Sequence, residues 1–267
     1  MDNQLDHETR AQVIADLMQK LHEHYVFPEI GERMVNYLKK RLVNKAYDEV
    51  SDPQELAQLL TTHLQEVRKD SHLSVVYQDQ EDFYTEEQGE EAGIGRDIVE
   101  DARAFGQGFN FGFEKVERLP GNVGYLVLRA FFPPALAGDV AIGAMHFLAN
   151  SSALIVDLRK AGGGEPSMAA FLCSYFFPPE PRHLNSLYWR ANHRIQQFWT
   201  LSYLPCPRYL DKPVYVLTSS STPSAAEEFA YNLQSFKRAI IVGEITSGGA
   251  NPHKLFDLSN QFGCWIP

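Results

Sequence analysis

The sequence predicts an α/β protein with a largely parallel sheet, preceded by a small helical subdomain. From about residue 110 onward, short apolar runs alternate with segments of helical periodicity, the pattern of βαβ crossovers that connect parallel strands. Before residue 78, apolar residues recur at the spacing of amphipathic helices. A chain of 267 residues is long enough to bury a sizeable core, as one large domain or two small ones.

Three amphipathic helices are predicted in the N-terminal subdomain, residues 1–78. One face of the first helix carries apolar residues at four-residue spacing: Val13, Leu17, Leu21 and Tyr25. Pro28 ends this helix, and a second begins near Ile30. A third starts at Asp52-Pro53, where the aspartate is a helix cap and proline takes the first helical position. We interpret this subdomain as a packing module.

An acidic linker is predicted over residues 79–110. It includes the run Glu86–Glu91, and acidic tracts of this kind are usually solvated. The segment is too short for a further domain of ordinary size.

The core, residues 111–267, is predicted to alternate strands and helices. The strands are short apolar runs: Gly124–Arg129, Ala153–Asp157, Val214–Thr218 and Ala239–Gly243. Helices are expected over residues 135–148 and 168–176 and after Ser224. The segment Phe177–Pro207 is rich in proline, tyrosine and tryptophan and is interpreted as a long loop, the kind of segment that often carries binding residues.

Composition narrows the function classes. With 44% hydrophobic and 22% charged residues the chain reads as a globular protein, and its formal net charge of -10 argues against nucleic acid or an anionic membrane as the main partner. Three cysteines lack metal-ligand spacing, so neither a metal nor a cofactor is predicted. No apolar run reaches membrane-spanning length. A cytoplasmic location is expected if Met1 is the native start, and a periplasmic or secreted one if a leader was removed.

Ser224 lies between an apolar strand and a helix, where a catalytic serine would point outward from the sheet edge. The first backbone N–H groups of that helix lack intrahelical partners and can donate to a developing oxyanion. The alternative is that Ser224 or Thr222 is only an N-cap.

Two glycine-rich loops follow neighbouring strands and would open at the same edge. Gly162–Gly164 lets backbone N–H groups converge on one point, although a plain turn is the alternative. A phosphate loop is not supported, because no Lys-Ser/Thr pair follows these glycines. Gly248 and Gly249 form the second loop and are candidate substrate-binding residues.

A serine nucleophile needs a base, and His72 is the preferred candidate among nine histidines. It lies between the helical subdomain and a short strand, Leu73–Tyr77. His253, close to the second glycine loop, is a further candidate. For either histidine, the alternative is a structural role without chemistry.

Together these segments resemble the tail-specific, or C-terminal processing, serine peptidase family, and in part its interphotoreceptor retinoid-binding-protein branch. The matching motifs, in chain order, are Tyr25-Val-Phe-Pro28, Asp70-Ser-His72, Asp157-Leu-Arg159, Gly162-Gly-Gly164, Ser224-Ala-Ala-Glu-Glu-Phe-Ala230, Arg238–Glu244 and Thr246-Ser-Gly-Gly-Ala250. The likeness runs from about Val13 to Pro252. It implies a ClpP/crotonase-like core of βαβ units with an N-terminal helical subdomain, and a peptide or protein substrate.

The resemblance also implies site residues. Ser224 matches the nucleophile, and Gly163, Gly164 and the N–H of Ala225 match the oxyanion-binding groups. Relatives with a Ser-Lys dyad place their lysine where this chain has Gly249. Tricorn-like relatives instead use a histidine that His72 matches.

Besides Gly249, three further departures from the family pattern are found. Tricorn-like relatives take the acidic partner of the histidine from a segment after the final strands, which is expected beyond Pro267. The core is therefore expected to be truncated at its C-terminus, with absence of the orienting carboxylate as the alternative. Ala161 stands where relatives commonly have asparagine. The linker leaves no room for the PDZ module that many processing peptidases carry.

Two rival functions stay open at this stage. One is a non-catalytic module that binds an apolar, retinoid- or lipid-like ligand through the aromatic segment, with Trp189 and Trp199 as candidate contacts. The other is an inactive scaffold for protein contacts. The sequence does not determine the oligomeric state.

Overall fold

A computed structural model describes residues 5–77 and 96–267, and of residues 96–99 the backbone alone. The chain divides into two compact units, one formed by Met1–Gly95 with Asn251–Pro267 and the other by Arg96–Ala250. The helices are α1 His7–His24, α2 Pro28–Val43, α3 Pro53–Val67, α4 Arg96–Gln107, α5 Pro134–Leu148, α6 Pro166–Cys173 and α7 Ser224–Ser235. The strands are β1 Ser74–Tyr77, β2 Phe113–Leu119, β3 Val123–Leu128, β4 Ala153–Asp157, β5 His183–Trp189, β6 Arg194–Trp199, β7 Val214–Thr218, β8 Ile240–Gly243, β9 Lys254–Leu258 and β10 Phe262–Ile266.

The first unit contains α1, α2 and α3, and the predicted N-terminal helices are confirmed. Asp6 caps α1 by accepting a hydrogen bond from the Thr9 N–H, and Asp52 caps α3 through the Glu55 N–H. The predicted apolar face of α1 is fully buried in the core of this unit. The helices therefore form because caps and apolar periodicity agree.

A three-stranded antiparallel sheet with the order β1-β10-β9 completes the first unit. Val75 pairs with Cys264, and Leu258 pairs with Phe262 across the turn between β9 and β10. Residues 251–267, which the sequence assigned to the core, thus pack with the N-terminal helices because β10 pairs with β1. The boundaries at residues 78 and 110 remain predictions.

The second unit is built on a five-stranded sheet with the order β2-β3-β4-β7-β8. Strands β3, β4, β7 and β8 are parallel neighbours, and β2 is an antiparallel edge strand. Side chains such as Leu154, Val156 and Val216 are buried against the helices of this unit. The predicted α/β core with a preceding helical region is confirmed.

Two segments of this unit differ from expectation. Helix α4 occupies part of the segment predicted to be an acidic linker, and residues 79–95 of that linker lie outside the described residues. The segment predicted as a long loop contains a hairpin, in which β5 and β6 pair with each other. Its turn at Arg190–Asn192 has no glycine, which is why turn chemistry did not reveal it.

Candidate active site

Ser224 is the first residue of α7, directly after the turn that follows β7. Its φ angle is +51°, in the left-handed region that a residue with a Cβ rarely adopts. Strained residues of this kind persist only where surrounding structure holds them, and they concentrate at functional sites. A strained serine at a strand-to-helix turn is also the geometry of a nucleophile elbow.

The N-cap alternative is wrong for both residues proposed for it. Pro223 occupies the cap position, and it has no side-chain group that could cap an N–H. The Thr222 hydroxyl is fully buried, where it donates to the Leu158 carbonyl at 2.9 Å and accepts from the Ser219 N–H at 3.0 Å. Thr222 therefore ties the turn to the end of β4.

Gly163 packs directly against Ser224. A Cβ at Gly163 would lie 2.9 Å from the Ser224 Cβ, so a side chain at this position would collide with the serine. The φ angles of Gly163 and Gly164 are +81° and +132°, which glycine adopts readily. Phe131 holds the loop, since its N–H donates to the Gly163 carbonyl at 2.8 Å. The loop therefore packs against Ser224 and is more than a plain turn.

Three backbone donors in this region are available to an incoming ligand. Within the described residues, the N–H groups of Gly163, Gly164 and Ala225 have no hydrogen-bond acceptor. Ala225 follows Ser224 at the N-terminus of α7, where unpaired N–H groups and the helix dipole favour negative charge. The arrangement can therefore stabilise an oxyanion that forms beside Ser224.

Asp157 supports the same loop from the end of β4. The buried carboxylate accepts hydrogen bonds from the Tyr125 hydroxyl at 2.7 Å and from the Arg159 side chain at 2.6 Å. Burial raises its pKa, but the bonds from Arg159 and Tyr125 outweigh burial and lower the pKa to about 2. Asp157 is therefore a fixed anion that anchors the segment leading to Gly162.

Glu227 connects the turn at Ser224 with the second glycine loop. Its carboxylate accepts from the N–H groups of Ser224 at 2.8 Å, Gly248 at 2.7 Å and Gly249 at 2.8 Å. Burial raises the pKa of Glu227, and hydrogen bonds from Thr246 and from these three N–H groups outweigh it, so the pKa lies below its ordinary value. Sequence reasoning missed Glu227: its acidic position in the first turn of the helix is a local signal for the contact with the Ser224 N–H, but not for the contacts with Gly248 and Gly249.

Glu228, the next residue, lies in a buried polar cluster with Asn185 of β5 and Cys173 of α6. Burial raises the pKa of Glu228 to about 7, and a hydrogen bond from Asn185 lowers it only partly. One of its carboxyl oxygens, Oε1, has no hydrogen-bond partner among the described residues. Burial also raises the pKa of the Cys173 thiol, and the nearby Glu228 carboxylate raises it further.

His72 lies in the first unit, where its ring orientation is fixed. The Nδ1 atom is 2.6 Å from the Asn251 carbonyl oxygen, and the ring packs against His253 with centroids 4.3 Å apart and the planes tilted by 36°. A carbonyl oxygen can only accept, so Nδ1 carries a hydrogen, and in the neutral ring Nε2 is the nitrogen that can accept a proton. This is the tautomer that a general base at Nε2 requires.

Asp70 orders the backbone that leads to His72. Its Oδ1 accepts from the His72 N–H at 3.1 Å, and its Oδ2 accepts from the Tyr25 hydroxyl at 3.0 Å. Gln65 adds a bond to the Asp70 N–H at 2.8 Å. Two separate motifs of the sequence, around Tyr25 and around His72, therefore meet in one network.

Trp189 and Trp199 lie on the β5–β6 hairpin of the second unit. Trp199 is 44% exposed and its ring lies 4.9 Å from His183, whereas Arg194 lies over the Trp189 ring at 5.6 Å. Phe198, part of the same aromatic segment, belongs to the buried side of the hairpin. The tryptophans stay candidate substrate contacts.

Comparison with known proteins gives two family matches. Residues 122–265 match a sequence model described as peptidase family S41. Residues 6–113 match a model of the N-terminal domain of the S41 peptidase in eukaryotic IRBP.

Solved structures share the fold at low sequence identity. A peptidase-like protein from Parabacteroides merdae is 19% identical with a TM-score of 0.64, over 96% of this chain and 82% of that one. The photosystem II D1 C-terminal processing protease is 15% identical with a TM-score of 0.52, over 97% and 87% of the two chains. The tricorn protease is 12% identical with a TM-score of 0.56, over 97% of this chain and 32% of its own. None of the described helices is both long and apolar enough to cross a membrane.

Proposed function

The chain belongs to peptidase family S41 and is a serine-type peptidase, and we propose that Ser224 is its nucleophile and His72 its general base. The observation that carries the proposal is the strained Ser224 backbone held against Gly163 at the start of α7. A strained serine beside unpaired backbone donors is the arrangement that acyl transfer needs.

In the proposed reaction, the Ser224 Oγ attacks the carbonyl carbon of a peptide bond. Nε2 of His72 accepts the hydroxyl proton and later transfers it to the leaving amine. The N–H groups of Gly163, Gly164 and Ala225 donate to the oxyanion of the tetrahedral intermediate. Water then hydrolyses the acyl-enzyme with the same histidine as base.

The contacts of His72 within its own unit support it as the base. Its Nδ1 atom is held by the Asn251 carbonyl, and Asp70 accepts a hydrogen bond from its backbone N–H. Gly249 has no side chain and cannot supply the lysine of a Ser-Lys dyad. The Asn251 carbonyl gives His72 the required tautomer without a carboxylate in the described residues.

Active-site labelling tests the nucleophile. We expect a fluorophosphonate probe to label the wild-type protein and the Ser221→Ala control, and not Ser224→Ala. His72→Gln should slow labelling by about 10³-fold or more, since triad members act as a unit. Labelling that survives in Ser224→Ala would exclude this nucleophile, and unchanged labelling in His72→Gln would exclude this base.

A second candidate is the binding of an apolar ligand by the hairpin aromatics. It is favoured by the match of residues 6–113 to the IRBP domain and by the exposure of Tyr188, 60%, and Tyr203, 80%. A retinol fluorescence titration of Ser224→Ala tests it. Two results together would favour this candidate over the peptidase. Retinol would bind saturably and Trp199→Ala would abolish that binding, and the wild-type protein would not react with the phosphonate.

A further inference from the structure

The β5–β6 hairpin presents an apolar patch on one face. The register pairs Tyr188 with Ile195, and these side chains are 60% and 64% exposed. Because successive strand residues point to opposite faces, Trp189 and its partner Arg194 lie on the other face. The tip therefore has an aromatic and aliphatic side and a cationic side.

The segment that contains the hairpin, residues 181–210, is basic in an acidic chain. Residues 181–210 contain four arginines and no Asp or Glu, so they carry a formal charge of +4 and the remainder of the chain carries -14. Arg208 is used internally, because its guanidinium donates to the carbonyls of Ser174, Phe177, Leu201 and Ser202. Arg190 and Arg194 flank the tip and are exposed. A partner that complements this tip carries negative charge.

The outer edge of β6 offers backbone hydrogen bonds. The two strands form a sheet of their own, so within the described residues β6 has a strand neighbour on one side alone. Residues 194–197 are exposed along this edge. An exposed edge with unpaired N–H and C=O groups is a template for an added strand.

From these three observations we propose that the β6 edge docks an extended peptide in which acidic and apolar residues alternate. Strand addition places every second side chain of the peptide on the Arg194 side, where carboxylates pair with the guanidinium, and the others beside Ile195 and Tyr188. That this peptide is a substrate rests on the proposed peptidase function. A lipid surface is the weaker candidate, because it offers no strand-forming backbone and the remaining charge of -14 is repelled by anionic headgroups.

The base of the hairpin is fixed to the unit that carries Ser224. The Leu201 N–H, just after β6, donates to the Ser174 hydroxyl at 2.9 Å, and the Arg208 guanidinium donates to the Phe177 carbonyl at 3.0 Å and the Leu201 carbonyl at 2.7 Å. The Arg182 N–H closes the base of the hairpin by donating to the Thr200 hydroxyl at 2.8 Å. The docking edge is therefore ordered before a peptide arrives, which lowers the entropic cost of binding.

Fluorescence anisotropy with the Ser224→Ala protein tests the proposal without requiring activity. The probes are fluorescein-labelled peptides with three repeats of Glu-Val, Lys-Val or Glu-Pro. In the Glu-Pro peptide every second residue lacks an N–H group and has its φ angle fixed at about −65°, which disfavours strand addition. We expect the Glu-Val peptide to bind at least about tenfold more tightly than the other two. Arg194→Glu should weaken it about three- to tenfold, and the same change at exposed Arg33 on α2 should not.

Other results would overturn the proposal. Equal binding of Glu-Val and Glu-Pro peptides would exclude strand addition, and equal binding of Glu-Val and Lys-Val peptides would exclude charge recognition. Binding to phosphatidylserine vesicles without binding of Glu-Val would assign the hairpin to a lipid surface. If the phosphonate does not label the wild type while Glu-Val binding depends on Arg194, the result would support the docking edge and contradict the peptidase mechanism.

Discussion

Replacing Glu228 with glutamine removes a buried carboxyl whose ionisation opposes folding. The folded-state pKa of about 7 lies above the ordinary value of 4.5, so the folded protein binds this proton more tightly than the unfolded chain does. The stabilising effect of the proton is therefore fully present below pH 4.5 and is lost as the pH rises through 7.

The pKa difference sets the magnitude. At about 1.4 kcal/mol per pKa unit, the linkage between pH 5 and pH 8 amounts to about 2 to 3 kcal/mol of unfolding free energy. The unfolding free energy of Glu228→Gln should therefore rise by about 2 to 3 kcal/mol relative to wild type on moving from pH 5 to pH 8. For a protein of this size that corresponds to roughly 5 to 10 °C in the midpoint of thermal unfolding.

Thermal unfolding of wild type and variant at pH 5 and pH 8 measures this difference, and other titrating groups cancel in the comparison. Asp139→Asn removes an exposed carboxyl on α5 and serves as the control. If the gain of Glu228→Gln is the same at both pH values, Glu228 does not titrate between them and the reasoning from burial is refuted.

Three further substitutions probe the nucleophile turn. Ser224→Gly should raise the unfolding midpoint, since it relieves a backbone cost of about 1 kcal/mol at a φ of +51° while removing the hydroxyl. Gly163→Ala should cost about 2 kcal/mol in thermal unfolding and abolish phosphonate labelling, because its Cβ would meet that of Ser224. Glu227→Gln should cost about 2 to 3 kcal/mol and speed amide hydrogen exchange at Gly248, since charge-assisted hydrogen bonds are lost.

Each substitution has its own control and contradicting result. Ser224→Ala also removes the hydroxyl but keeps the Cβ, so an equal rise in midpoint for both variants would contradict the strain argument. Gly138→Ala on α5 adds a methyl into open space and should not destabilise, which isolates the packing effect at Gly163. Unchanged exchange at Gly248 in Glu227→Gln would show that Glu227 does not hold this loop.

Elements with strong local patterns could be predicted from the sequence. The strands β3, β4 and β7 are uninterrupted apolar runs, and Asp52-Pro53 marks the start of α3, so the α/β class followed from short-range information. The sheet β1-β10-β9 could not be predicted this way, because its pairing joins residues such as Val75 and Cys264 that are far apart in the chain.

Prediction of the site from the sequence has the same limit, because contacts between distant residues are not specified locally. Ser224 and Gly163 could be singled out because each follows the end of a strand, where parallel sheets gather functional groups. The contacts of Glu227 with Gly248 and Gly249 span more than 20 residues, and no local pattern specifies them. The left-handed backbone of Ser224 was equally hidden, because serine has no preference for that conformation.

In the hairpin, the residues that stabilise the fold are different from the residues that form the exposed surface. Of the six residues in β6, Phe198 alone is buried, and the anchoring bonds of Arg208 and Leu201 lie outside the strands. Substitutions between Arg190 and Gln197 therefore change the exposed surface with little effect on folding. The tip is therefore a place where a loop can be grafted while the unit beneath it keeps its fold.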